Sequence, residues 1–316
     1  MLKRIYYSLM IIAGVGLAML IPEPFVRWGS FETKNLIVPL LQVIMFGMGT
    51  AVSLKDFKGV IQMPKGVLVG MACQFSIMPL VGFFIAYTFG FPPEIAAGFI
   101  LIGSSPSGLA SNVMSYLGRG NLALSVTLTA VATLLAPILT PFLMKNLAGQ
   151  LVPIAFWDMM WSIIKIVIIP IVLGLVFNHF FHGKFKWLDK AMPIVSMAGI
   201  GIIITIITAN GRDGLLQVGG LLILACLLHN CAGYFLGYWI CRFLRMEERD
   251  CRTIALEVGM QNAGLASGIA VEMGKIATVG LAPAIFGPMM NITGSSLAMW
   301  WRGKQDDEQL DVSVSS

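Results

Sequence analysis

The chain has 316 residues, 57% of them hydrophobic and only 12% charged, with mean hydropathy +0.83 and a formal net charge of +5. So little polar surface cannot cover a soluble globule of this length, which excludes one and points to a chain embedded in lipid. The five cysteines contain no CxxC pair, so neither a disulfide framework nor a cysteine metal site is indicated.

Apolar stretches long enough for the ~30 Å hydrocarbon core recur along the chain. They predict ten spans, at roughly 5–22, 35–53, 66–90, 93–117, 121–146, 158–181, 190–209, 214–244, 251–270 and 277–301. The first follows Lys3 and Arg4 like a signal peptide, but Ile21-Pro22-Glu23-Pro24 offers no small-residue cleavage site, so a retained span is expected. Counted over alternate connections, fifteen Lys and Arg fall on one side and five on the other, with Lys165 inside a span. That bias places both termini in the cytoplasm and supports an even number of spans. The positive charge is therefore a topology signal, and no nucleic acid partner is implied.

The third span carries Gln74 just before Met78-Pro79. In the fourth, Gly103 to Asn112 is Gly, Ser, Pro or Asn at every position except Leu109 and Ala110. Pro106 removes a backbone donor and disfavours helix at Ser105, so a continuous lipid-facing helix is not expected. Two readings stand: a seam of small residues for close packing, or broken backbone at a polar site. Asn112 favours the site, because a packing seam needs no amide. The fifth span adds Ser125, Thr127, Thr129 and Thr133, while Trp157, Trp161, Trp300 and Trp301 near span ends read as an interfacial belt. In the eighth, Leu228-His229-Asn230 echoes Cys73-Gln74-Phe75 at an offset of 155 residues.

The ninth span holds Glu257-Val258-Gly259-Met260-Gln261-Asn262, followed by Ala263-Gly264-Leu265-Ala266-Ser267, which repeats Ser107-Gly108-Leu109-Ala110-Ser111 after 156 residues. Five spans per half make such a repeat an inverted one, and polar interruptions at matching places in two halves point to a transporter's midplane site. Glu257 is the acid most deeply set in an apolar run, and an ionised carboxylate there costs several kcal/mol unless paired, hydrated or bound to a cation. Arg252, five residues earlier, offers a salt bridge as one answer. A monovalent cation held by carboxylate, amide, hydroxyl and carbonyl oxygens is the other. Sodium is favoured over a proton because amides and hydroxyls do not titrate. The tenth span adds the polar patch Asn291-Ile292-Thr293-Gly294-Ser295-Ser296, and the acidic, Ser-rich end reads as a disordered tail.

Ser111-Asn112-Val113-Met114, Gly120-Asn121-Leu122-Ala123-Leu124-Ser125-Val126 and above all the EVGMQN run at 257–262 resemble the bile acid:sodium symporter family, in particular its bacterial members. The resemblance covers nearly the whole chain. It implies an all-α membrane protein of ten transmembrane helices in two inverted five-helix repeats, with spans 4 and 9 unwound and crossing. Panel helices would fall in 1–64 and 147–212, core helices in 65–146 and 213–304, and the cytoplasmic tail in 305–316. It further implies two Na+ sites, one from Ser111, Asn112, Ser125, Thr129 and Glu257, the other from Gln74, Glu257, Val258, Met260 and Gln261. Asn262 and Asn291 would face an organic anion. Leu109 and Met290 stand where bacterial members often carry Thr and His, beside the substrate cavity. A bile-acid substrate therefore does not carry over, and pantoate or another small carboxylate fits as well.

The expected function is a sodium-coupled importer of a small organic anion, with sodium and membrane lipid as its other partners. A proton-linked exchanger on a similar scaffold is the alternative, although Glu257 lacks the second intramembrane acid such a relay needs. Neither an HExxH nor a paired-Asp arrangement occurs, so an enzyme is not expected.

Overall fold

Lipid offers the backbone no hydrogen bonds, so apolar runs interrupted only by Gly, Pro and small polar residues must satisfy themselves as helix. The computed structural model describes residues 13–51, 53, 59–181 and 186–315 and is mostly helical. The start of the first predicted span and Lys3, Arg4, Lys55, Lys58 and Lys184 lie outside the described residues. The principal helices are α1 (Ile37–Ala51), α2 (Pro64–Thr88), α3 (Pro93–Ser104), α4 (Leu109–Leu117), α5 (Leu122–Leu147) and α6 (Phe156–Phe181). They continue with α7 (Lys186–Asn210), α8 (Arg212–Phe243), α9 (Glu248–Gly259), α10 (Ala263–Glu272) and α11 (Leu281–Ser315). Ahead of α1, β1 (Arg27–Trp28) pairs antiparallel with β2 (Phe31–Glu32) in a short hairpin, the one sheet among the described residues.

Among the described residues, five helices are long and apolar enough to cross a membrane: Thr33–Ala51, which contains α1, then α2, α5, α6 and α8. Shorter apolar helices accompany them, including α3 and α10. The architecture is thus that of an all-α membrane protein. At ~1.5 Å per residue, the 12 residues of α3 rise only about 18 Å, too little for the hydrocarbon core on their own. The fourth predicted span is in fact two helices in series, α3 and α4, and the ninth is α9 and α10.

The helices pack in two groups. In one, α1 lies against α6 and α7; in the other, α2 packs on α3, α5, α8 and α9, and α11 packs on α3, α4, α8 and α10. Within the first group the approach is close at Gly49 and Gly174. A Cβ on Gly49 would collide with the Ile171 backbone, and one on Gly174 with the Phe46 carbonyl, so only glycine lets the two backbones meet here. In the second group, boundaries recur at a spacing of 155 residues. α2 ends at Thr88 and α8 at Phe243, and α3 and α9 are both 12 residues long, starting at Pro93 and Glu248. The turns that follow use positive φ at the same spacing, Gly90 (62°) with Arg245 (53°), and Arg119 (54°) with Gly274 (68°).

α11 runs on through the polar end of the chain, where the sequence suggests disorder. Its Gln, Glu and Leu residues are good helix formers and simply extend the helix already nucleated in the apolar part.

Candidate functional site

Breaking two helices at membrane depth frees carbonyls that need partners. At the end of α3, Ser104 O accepts from Thr140 Oγ1 at 2.7 Å and Ser105 O from Gln74 Nε2 at 2.9 Å. At the end of α9, Gly259 O accepts from Asn230 Nδ2 at 2.8 Å and Val258 O from Gln261 Nε2 at 2.6 Å. The two interruptions also hydrogen-bond to one another. Gly108 N donates to Met260 O at 3.0 Å and Asn262 N to Pro106 O at 2.7 Å, which sets Ser107 opposite Gln261 in an antiparallel bridge. Residues 105–108 and 260–262 are therefore neither loose loop nor helix; they form a small crossover.

Glu257 lies directly behind it, 2% exposed. Its Oε1 accepts from Ser111 Oγ and Ser125 Oγ, both at 2.5 Å, and its Oε2 from Ser107 Oγ at 2.7 Å and Thr129 Oγ1 at 2.9 Å. No Lys or Arg among the described residues pairs with it. Arg252, the alternative partner raised by the sequence, turns the other way. It donates to Glu248 Oε1 at 2.9 Å, where the i, i+4 spacing along α9 matches, and stacks over Trp301 with its guanidinium 5.8 Å from the ring centroid. Trp301 is accordingly buried, whereas Trp157, Trp161 and Trp300 are exposed as a belt would be.

Ser111, Asn112, Ser125 and Thr129 thus surround the carboxylate as one cluster. Asn112 Oδ1 lies 2.8 Å from Ser125 Oγ and 3.1 Å from Thr129 Oγ1. Acceptors outnumber hydrogens here. The single hydrogen of Ser125 has Asn112 Oδ1, Ser115 Oγ and Glu257 Oε1 within reach, and that of Ser111 has both Gly108 O and Glu257 Oε1. Hard oxygen atoms whose lone pairs exceed the available hydrogens are the donor set of a hard cation, and a negative carboxylate among them suits a positive one.

The other expected set assembles in part. Gln74 Nε2 donates to Gln261 Oε1 at 2.8 Å, and Gln261 in turn reaches Val258 O, so three of the five residues form one hydrogen-bonded string. Gln74 Oε1 is buried and has no hydrogen-bond partner among the described residues, an oxygen left facing a missing donor or a cation. The Met260 carbonyl is held by Gly108 N, and the Glu257 carboxylate directs its hydrogen bonds to the hydroxyls rather than to this string.

Of the residues expected near a substrate, Asn262 caps α10 by accepting from Leu265 N at 3.0 Å, and Leu109 opens α4 and is 36% exposed. Asn291 is half-buried on α11 and donates to Gly287 O at 2.9 Å, while Met290 is buried with its carbonyl accepting from Tyr234 OH at 3.1 Å. α4 itself begins at Gly108 without a side-chain cap.

Two hydroxyls in the cluster were not anticipated, those of Ser107 and Ser115. A face reading would have found Ser115, four residues after Ser111 on the same side of α4. The echo between the third and eighth spans keeps its 155-residue register but not its role: Asn230, the residue after His229, donates to Gly259 O at the end of α9 as Gln74 donates to Ser105 O at the end of α3. His229 instead sits between Phe99 and Phe286 with Nε2 on Met78 O at 2.9 Å.

Known proteins share this arrangement of sequence. A profile described as the sodium bile acid symporter family matches residues 38–218. The chain is 38% identical over 284 residues to the sodium-dependent transporter YocS of Bacillus subtilis (strain 168), covering 90% of this chain and 88% of the relative. It is 33% identical over 290 residues to a probable chloroplastic sodium/metabolite cotransporter, BASS1, of Arabidopsis thaliana, covering 92% and 71%. To the human ileal sodium/bile acid cotransporter it is 33% identical over 266 residues, covering 80% and 74%. These relatives are transporters, not enzymes, and a match of this length and identity admits one conclusion: the chain belongs to the sodium bile acid symporter family.

Proposed function

We propose that this chain is a sodium-coupled importer of a small organic anion, pantoate or another carboxylate, working by alternating access in a bacterial inner membrane with both termini cytoplasmic. The observation that carries the reading is Glu257, a carboxylate buried behind the crossover among hydroxyls and paired with no Lys or Arg among the described residues. Sodium is the cargo that balances it. Ser111, Asn112, Ser125, Thr129 and Glu257 form one sodium site, and Gln74, Val258, Met260, Gln261 and Glu257 the second, where the unpartnered Gln74 Oε1 supplies a free oxygen.

The proposed architecture is ten spans in two inverted repeats, and two features support it. Helix boundaries recur in the two halves, and the two interruptions run antiparallel, as a two-fold axis in the membrane plane requires. The group around α2–α5 and α8–α11 is the core, and α1, α6 and α7 belong to the panel. Sodium on Glu257 frees hydroxyl hydrogens, stiffens the crossover and so presents the uncapped start of α4 to an anion, with Leu109, Asn262, Met290 and Asn291 near it. Each ligand then strengthens the other by the same factor.

The test is uptake of labelled pantoate and other small carboxylates into proteoliposomes. Accumulation driven by an inward sodium gradient and lost when choline replaces sodium is the expected result. Uptake that follows a pH gradient and ignores sodium would overturn the reading in favour of a proton-linked exchanger.

A further inference from the structure

Four hydroxyls donate to the Glu257 carboxylate, and three of them have another acceptor in reach. Ser111 Oγ can turn to Gly108 O at 2.7 Å, Ser125 Oγ to Asn112 Oδ1 at 2.8 Å or Ser115 Oγ at 3.1 Å, and Thr129 Oγ1 to Asn112 Oδ1 at 3.1 Å. Ser107 Oγ has one partner among the described residues, Glu257 Oε2 at 2.7 Å. Its backbone is fixed independently, since the hydrogen bonds from Gly108 N to Met260 O and from Asn262 N to Pro106 O flank it and hold it against Gln261. The side chain is buried, so water offers no substitute.

A hydroxyl that coordinates a cation through its lone pairs must send its hydrogen elsewhere. Ser111, Ser125 and Thr129 can turn their hydrogens off the carboxylate oxygens an ion would take, whereas Ser107, with no second acceptor among the described residues, keeps its hydrogen on Glu257 Oε2. We propose that Ser107 is a positioning residue rather than a sodium ligand: it ties Glu257 Oε2 to the crossover while the other three hydroxyls turn to the ion. The assignment rests on the sodium reading above and extends it, because it names a direct hydrogen-bonded link from the carboxylate to the crossover.

The experiment uses the purified full chain in detergent without any organic substrate, with thermal stability followed during a sodium chloride titration balanced by choline chloride. Loss of a hydrogen bond to a charged group predicts that Ser107→Ala raises half-saturating sodium roughly tenfold or more. Because the hydrogen bond is present without the ion, its melting temperature in choline should also fall by a few degrees, and Ser107→Thr, which keeps the hydroxyl, should return the sodium response to within about twofold. A purely structural serine would lower the choline value and leave the sodium midpoint in place, and that pattern overturns the proposal. If Ser107→Ala does not yield folded protein, Ser107→Cys, equal in shape but a weak donor, reads the same midpoint. A wild-type protein indifferent to sodium would instead remove the sodium reading itself, and is distinguished from a wild type that responds alongside an unaltered Ser107→Ala.

Discussion

Glu257→Gln separates the charge of the carboxylate from its shape. In the wild type four hydroxyls donate to an anion, at 2.5 to 2.9 Å. Making that acceptor neutral weakens each hydrogen bond by about 1 kcal/mol, a loss of about 4 kcal/mol. Removing a buried ion recovers several kcal/mol of desolvation. The two nearly cancel, so the variant in choline should lie within about 2 kcal/mol of wild type. Sodium then divides them: at roughly 100 times its Kd it adds about 2.7 kcal/mol to a protein that binds it, or ~5 °C at about 2 °C per kcal/mol for a chain of this size. Thermal unfolding of both proteins across a sodium series, at constant ionic strength, gives the comparison. Wild type should climb and Glu257→Gln should stay flat. A variant that climbs with wild type refutes the carboxylate as the cation's anchor. One that loses well over 2 kcal/mol in choline shows instead that the charge serves the fold.

Gln74→Leu keeps the volume but removes the unpartnered oxygen and the hydrogen bond to Gln261; sodium-driven uptake should persist with a reduced Hill coefficient for sodium, measured in proteoliposomes, and an unchanged coefficient would take Gln74 out of the second site. Gly174→Ala forces α1 away from α6 and should destabilise the protein by about 1–3 kcal/mol, while Gly220→Ala, where a methyl meets nothing within 4 Å, should not; equal melting temperatures would contradict the packing. Arg252→Met removes the Glu248 and Trp301 contacts and should lower stability without moving the half-saturating sodium concentration, whereas a large shift in that concentration would revive a link between Arg252 and Glu257.

Much of the site could be read from residue types, because lipid makes polar groups expensive and therefore conspicuous. Glu257, Gln74 and Asn112 stand out in apolar runs for that reason alone, and Pro106 among serines marks where helix must fail. Small hydroxyl residues are less legible. A serine in a membrane helix usually bonds its own backbone, as Ser267 does to Ala263 O at 2.8 Å, so nothing in the order of residues separates it from Ser107. Arg252 shows how an open alternative is settled by geometry: proximity along the chain allowed a pair with Glu257, but α9 turns the two side chains to different faces, and the i, i+4 partner Glu248 takes it. The echo of Gln74 in His229 holds in register but not in role, since only the carbonyl actually met shows that Asn230 serves the end of α9.

Taken alone, the order of residues determined that this chain lives in lipid, where its helices break and which acid is stranded there, since hydropathy, proline and charge act locally and at fixed cost. Which hydroxyls surround that acid, and that the two broken segments bond to each other behind it, was decided by tertiary packing. Those contacts join residues more than 120 positions apart, and their geometry depends on how α2, α5, α8 and the crossover seat against one another, which no local preference encodes.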